Sequence, residues 1–78
     1  MSQIRVQVLG ALTKPFGQDD FVYEVDEDLS LEDLLLRLGY ERSHLRFIVA
    51  AVNGSREKLS YRLRDADVVT LVLPTSGG

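Results

Sequence analysis

The chain has no cysteine, a single histidine and only two prolines in its 78 residues. Without cysteine there is no disulfide framework, no thiol nucleophile and no thiolate metal site, and His44 alone does not supply the ligands of a zinc centre. The fold must therefore rest on hydrophobic packing. Positive charge is also short: nine Lys and Arg stand against twelve Asp and Glu, a net charge of -3. Neutralising phosphates needs an excess of cations, so sequence-independent nucleic-acid binding is not expected. No apolar run approaches the ~20 residues that cross a bilayer, and the start "MSQIRVQVLG" lacks the long apolar region of a secretory signal. A cytoplasmic protein that binds no membrane is expected. There is no phosphate-cradling glycine loop, and one histidine without an evident Ser or Asp partner makes no triad. Autonomous catalysis is not expected either.

What is present is an ordinary globular composition, 45% apolar and 27% charged, in a length that allows one domain. "QIRVQVL" sets Ile4, Val6 and Val8 against Arg5 and Gln7, the period-2 pattern of a strand with one buried face. "GALTKPFGQDD" has loop composition, with some apolar residues that pack back. "FVYEV" resumes alternation and places Phe21, Tyr23 and Val25 on one face. These two strands predict an antiparallel hairpin.

The period then changes. Ser30 is a natural N-cap, Asp33 sits where it can reach back as a capping box, and Leu31, Leu34, Leu35 and Leu38 recur at helical spacing. Asp26, Glu27, Asp28, Glu32 and Asp33 lie at or before the first turn, where negative charge suits the positive end of the helix dipole. Gly39 suits the left-handed position that ends the helix. "FIVAAVNG" is a β-branched run closing on Asn53-Gly54, a strong hairpin-turn signal. "SREKLSYRL" predicts a short edge strand and a turn, and "RDADVVTLVLP" a turn at Asp65 to Asp67 followed by an apolar central strand, Val68 to Leu73. Pro74 ends it, having no N–H for a sheet ladder. His44 reads as a surface or satisfied histidine, and Arg62 and Arg64, just before the last strand, as a solvated edge, with the positioning of a partner as the alternative.

Strand, strand, helix, strand, short strand, strand is an α+β order in which one helix crosses one face of a mixed sheet by a right-handed connection. The last strand fits best in the middle, beside the first. The expected fold is the β-grasp, or ubiquitin-like, arrangement: four to five strands packed on one main helix, spanning residues 1–74, with 75–78 as a flexible Gly-Gly tail.

From Phe47 onward, "FIVAAVNGSREKLSYRLRDADVVTLVLPTSGG" resembles the C-terminal half of the MoaD/ThiS family of sulfur carriers. The shared features are a strand ending in "VNG", an "L-x-x-x-D-x-V" turn and a strand running into "P-x-S-G-G". The "PTSGG" ending is nearer to the small subunit of molybdopterin synthase than to the thiamin carriers. Two positions depart from the family pattern: the turn reads Ala66-Asp67 where Gly-Asp is usual, and Leu73 stands where a second proline is frequent.

The resemblance implies that the Gly78 carboxylate is the working group. An E1-like enzyme of the MoeB/ThiF kind adenylates it with ATP, and a sulfur donor protein then converts it to a thiocarboxylate. The recipient is a sulfur-accepting enzyme such as the molybdopterin synthase large subunit, in molybdenum cofactor synthesis. No cofactor is bound by the carrier itself; ATP belongs to the activating enzyme. Pro74, Thr75, Ser76 and Gly77 are the expected partner-binding residues. Extended at about 3.3 Å per residue, Thr75 to Gly78 reach roughly 13 Å, and glycines without a Cβ pass a narrow channel. The alternatives are a carrier for thiazole synthesis or tRNA thiolation, a ubiquitin-like modifier that ends on a protein lysine, and a binding module with an inert end.

Overall fold

Every second residue of the first strand is withdrawn from solvent: Ile4, Val6 and Val8 are buried, while Gln3, Arg5 and Leu9 are exposed. The alternation makes β1 (Ser2–Leu9) a strand with one core face, and the same pattern recurs along β2 (Asp20–Val25), β3 (Val49–Val52) and β5 (Val68–Val72). The computed structural model describes residues 2–10, 12, 14–25 and 28–73. Between β3 and β5 lies the two-residue strand β4 (Ser55–Arg56). The five strands form one mixed sheet in the order β2-β1-β5-β3-β4. β5 runs parallel to β1 and antiparallel to β3, so the last strand occupies the middle, as its apolar sequence predicts.

The one α-helix among the described residues, α1 (Leu31–Arg37), buries Leu31, Leu34 and Leu35 in the same core as Ile4, Val6, Val69 and Leu71. Seven residues are too few to hold a helix in water. This one is held at its start by the predicted capping box, Asp33 N–H donating to Ser30 Oγ at 3.1 Å and Ser30 N–H to Asp33 Oδ2 at 3.3 Å. Its free N–H groups are met from outside: Leu31 donates to the Tyr61 carbonyl and Glu32 to the Leu59 carbonyl. Burying each leucine adds about 1.5–3 kcal/mol. Packing therefore outweighs intrinsic propensity here.

Two boundaries differ from the sequence reading. "FIVAAVNG" enters the sheet only at Val49, because Arg42–Phe47 wind into a 3-10 segment that closes with Ile48 N–H on the Leu45 carbonyl at 3.1 Å. β5 stops at Val72 rather than Leu73. The loop before β2 contains a 3-10 turn at Pro15–Gly17, from which Pro15 and Leu12 are buried and Phe16 meets Phe21 edge-on at 5.6 Å. At Phe47 and Ile48 the apolar content was read correctly; what overrode it was the need to turn the chain from helix to sheet. The Asn53-Gly54 turn behaves as predicted, with φ of 53° and 87°, the pair of positive values that a tight two-residue hairpin requires.

The turn before β5 is the place where the departure from the family pattern acquires a structural meaning. Ala66 has φ of 70°, in the left-handed region where a Cβ is crowded. Its N–H donates to the Gln3 carbonyl and Gln3 N–H donates to the Asp65 carboxylate, both at 2.9 Å, so β1 holds the turn in that conformation. Ala66→Gly is therefore expected to stabilise the protein by about 1 kcal/mol, the strain relieved less the entropy that glycine adds to the unfolded chain. Thermal denaturation checks this as a rise of about 4–8 °C in Tm; an unchanged or lower Tm would show that the left-handed alanine costs nothing here.

Candidate functional site

All five residues singled out from sequence, Pro74, Thr75, Ser76, Gly77 and Gly78, lie outside the described residues. What the structure does define is the strand that leads to them and the surface beside its end. The helix and its core cover one face of the sheet. The other face carries the alternate residues of each strand, all exposed or half-buried.

Register sorts that open face into rows. At the end of β5, Val72 pairs with Leu9 on one side and Val49 on the other, giving an apolar row of three across β1, β5 and β3. Leu9 is 51% exposed, and Phe47, two residues before Val49, is 53% exposed. The next row is Gln7, Thr70 and Ala51, with the Thr70 hydroxyl donating to Gln7 Oε1 at 3.3 Å. Further from the strand end, Arg5 grips Asp20 through Nε and Nη2 at 3.0 and 2.8 Å. The hydrogen bonds and charge of Arg5 hold the Asp20 carboxyl below its ordinary value, so it stays ionised. The face is thus apolar where β5 ends and polar away from it. Exposed apolar groups gathered in one part of an open sheet face suit contact with another protein.

The direction of β5 is set at its other end by a buried carboxylate. Asp67, 5% exposed, accepts hydrogen bonds from Arg64 N–H at 2.8 Å, Asn53 Nδ2 at 2.9 Å and the Tyr61 hydroxyl at 3.4 Å. Asn53 in turn accepts from Val68 N–H at 2.9 Å. Partial burial, then the Asp67 charge, holds the Tyr61 phenol above its usual range, which keeps it protonated and able to donate. The two sequence features "VNG" and "D-A-D" are therefore one hydrogen-bonded unit, joining the β3–β4 turn to the first residue of β5.

The remaining sequence candidates fall away from the strand end. His44 is exposed and lies 3.7 Å from Glu41 of its own 3-10 segment. Arg62 bridges to Ser30 at the helix start, and Arg64 serves Asp67 through its backbone. Among the described residues no group of His, Asp and Glu is arranged to hold a metal ion, and no helix is long and apolar enough to cross a membrane. Sequence reading did not single out Leu9, Val49 and Val72. Alternation marks each as an open-face position, but only the pairing of three strands makes them neighbours.

Residues 6–78 match the family model described as the ThiS family. No curated protein matches. Among solved structures, SAMP1 from Haloferax volcanii superposes with a TM-score of 0.77 at 20% identity, covering 99% of this chain and 100% of that one. The putative molybdopterin converting factor subunit 1 from Pyrococcus furiosus gives 0.76 at 20% identity, over 96% and 100%. In the complex of subunits 1 and 2 of the molybdopterin-converting factor from Helicobacter pylori, the matched chain gives 0.63 at 24% identity, over 97% and 99%. At these identities the likeness establishes the fold, a ubiquitin-like β-grasp. The family model extends from Val6 in β1 through the sheet and helix to Gly78, and the chain belongs to the ThiS family.

Proposed function

We propose that this protein is a sulfur carrier whose Gly78 carboxylate is adenylated by an E1-like enzyme and converted to a thiocarboxylate. The observation that carries the reading is the family match running through Gly78 on a β-grasp body. Residues 1–74 act as the recognised body and 75–78 as the segment that enters partner active sites. The chemistry explains why an activating enzyme is needed: a carboxylate would have to expel oxide, a very poor leaving group. Attack of the Gly78 carboxylate on the α-phosphorus of ATP releases pyrophosphate and leaves an acyl adenylate. A donor delivering sulfur at the oxidation level of sulfide then attacks the acyl carbon, the bond to AMP breaks, and the thiocarboxylate remains. Its sulfur is a softer nucleophile than the oxygen it replaced and can be passed to an acceptor. The row of Leu9, Val72 and Val49 offers these enzymes a body contact beside the strand end.

The acceptor we favour is a molybdopterin synthase large subunit, in line with the "PTSGG" ending and the fold shared with a molybdopterin-converting factor subunit that is found in complex with its second subunit. The shared fold with small archaeal modifier protein 1 supports a second reading, conjugation of Gly78 to a lysine. Intact-mass measurement separates them. Incubation with ATP, the organism's E1-like enzyme and a sulfide source is expected to raise the mass by the difference between one sulfur and one oxygen. Adducts of the whole chain on protein lysines, without that exchange, would favour the modifier. An unchanged mass with each E1-like enzyme of the organism would sink both.

A further inference from the structure

β4 is only two residues long because the chain is drawn away from the sheet immediately after it. Glu57 N–H still reaches the Ala50 carbonyl at 3.0 Å, but the carbonyls of Leu59 and Tyr61 are taken by N–H groups at the helix start. The start of β3 is thereby left without a strand neighbour on that side. The 3-10 segment Arg42–Phe47 forms the opposite bank, and between them lies an open groove of about 470 Å³. Val49 and Leu59, both half-buried, contribute apolar surface to it over a floor of buried Leu45 and Ile48; Arg46, Arg56 and Lys58 contribute three cations. Glu57 also lines the groove, so positive charge remains in surplus.

That surplus belongs to an uneven distribution along the chain. Residues 1–33 hold eight acidic against two basic residues, whereas residues 34–78 hold seven basic against four acidic. Two cations outside the groove are matched, Arg5 with Asp20 at 2.8 Å and Arg42 with Glu32 at 3.2 Å. Arg46, Arg56 and Lys58 have no carboxylate partner among the described residues. The Arg46 guanidinium instead sits 4.9 Å above the Phe47 ring, which limits its freedom before any ligand arrives.

We propose that this groove docks an extended acidic segment of a partner protein, in which carboxylates alternate with apolar side chains. Alternation in an extended peptide sends successive side chains to opposite sides, so one set meets the apolar bank and the other the cations. Charge complementarity would also speed encounter with such a segment. A nucleic acid is the poorer fit: three cations displace few counterions, and the apolar surface meets no phosphate. The site stands on different residues from Gly78 and does not depend on its chemistry. It is nonetheless close to the strand end, since Val49 lines the groove and pairs with Val72.

The test is a titration of the ¹⁵N-labelled full-length protein with a blocked octapeptide of alternating glutamate and leucine, monitored by amide shifts. The expected result is saturable shifts confined to Leu45–Ala50 and Arg56–Ser60, weakening as salt rises. The double variant R56E/K58E should bind about tenfold more weakly or worse, and both positions are exposed, so its spectrum will show the same fold. An alternating serine and leucine peptide should leave these amides unmoved. No saturable shift at millimolar peptide, shifts on another surface, or equal binding by R56E/K58E would overturn the proposal. Tighter binding of a short single-stranded oligothymidine in the same groove would overturn it in favour of a nucleic acid.

Discussion

Removal of Gly78, or addition of one residue after it, is expected to abolish adenylation while leaving thermal unfolding unchanged within about 0.5 kcal/mol. The first half rests on the proposed chemistry, in which a single carboxylate must reach the α-phosphorus of ATP in line. Displacing the reacting group by even one residue shifts it by about 3.3 Å, and a misplacement of ~1 Å can already cost a hundredfold in rate. The second half rests on the core, whose buried apolar residues run from Ile4 to Leu71, with Leu73 the last described residue packed against them. ATP–pyrophosphate exchange with the E1-like enzyme measures the first and a thermal melt the second. The truncated protein should also compete with the intact one for that enzyme, because Leu9, Val49 and Val72 remain in place. Full exchange activity after truncation would refute the role of Gly78; a collapse of Tm would mean that the terminal residues are structural.

Asp67→Ala is expected to cost about 3 kcal/mol, the largest stability effect of any polar side chain described. Three donors converge on its carboxylate: Arg64 N–H, Asn53 Nδ2 and the Tyr61 hydroxyl. Each donor stranded in a buried site forfeits about 1–3 kcal/mol, partly recovered where water can enter. A domain of this size holds only ~4–12 kcal/mol in total, so the loss should appear as a fall of about 15 °C in Tm. Asp67→Asn keeps one oxygen to accept and should lose roughly half as much. Chemical denaturation with both variants is the check, and a loss under ~1 kcal/mol for Asp67→Ala would show that water replaces the carboxylate freely. The consequence reaches the strand that leads to the proposed working end, because Asn53 also holds Val68, the first residue of β5.

Most of the architecture is legible in the sequence, because its signals are local. Period-2 alternation in "QIRVQVL" and "FVYEV", helical spacing of Leu31, Leu34, Leu35 and Leu38, and Asn53-Gly54 each depend on a few neighbouring dihedral angles and on which face of an element is buried. The misjudged stretches are those where a local preference meets a global demand. Phe47 and Ile48 look like strand residues, but a chain leaving a seven-residue helix must turn before it can join β3, and a 3-10 segment makes that turn. Asp67 reads as part of a turn, and nothing in its neighbours shows that Asn53 would come to meet it.

By itself the sequence determined the element order, the central place of the last strand, the capped helix and the family, since these arise from composition, periodicity and short motifs. Only the tertiary structure decided which open-face residues stand together. Leu9, Val49 and Val72 are far apart in the chain and become one row through the register of β1, β5 and β3. Arg46 and Arg56 come to share a groove because β4 is cut short by the hydrogen bonds that Leu59 and Tyr61 make at the helix start. Strand register and the path of a connecting segment are set by the packing of the whole domain, which no window of neighbouring residues contains.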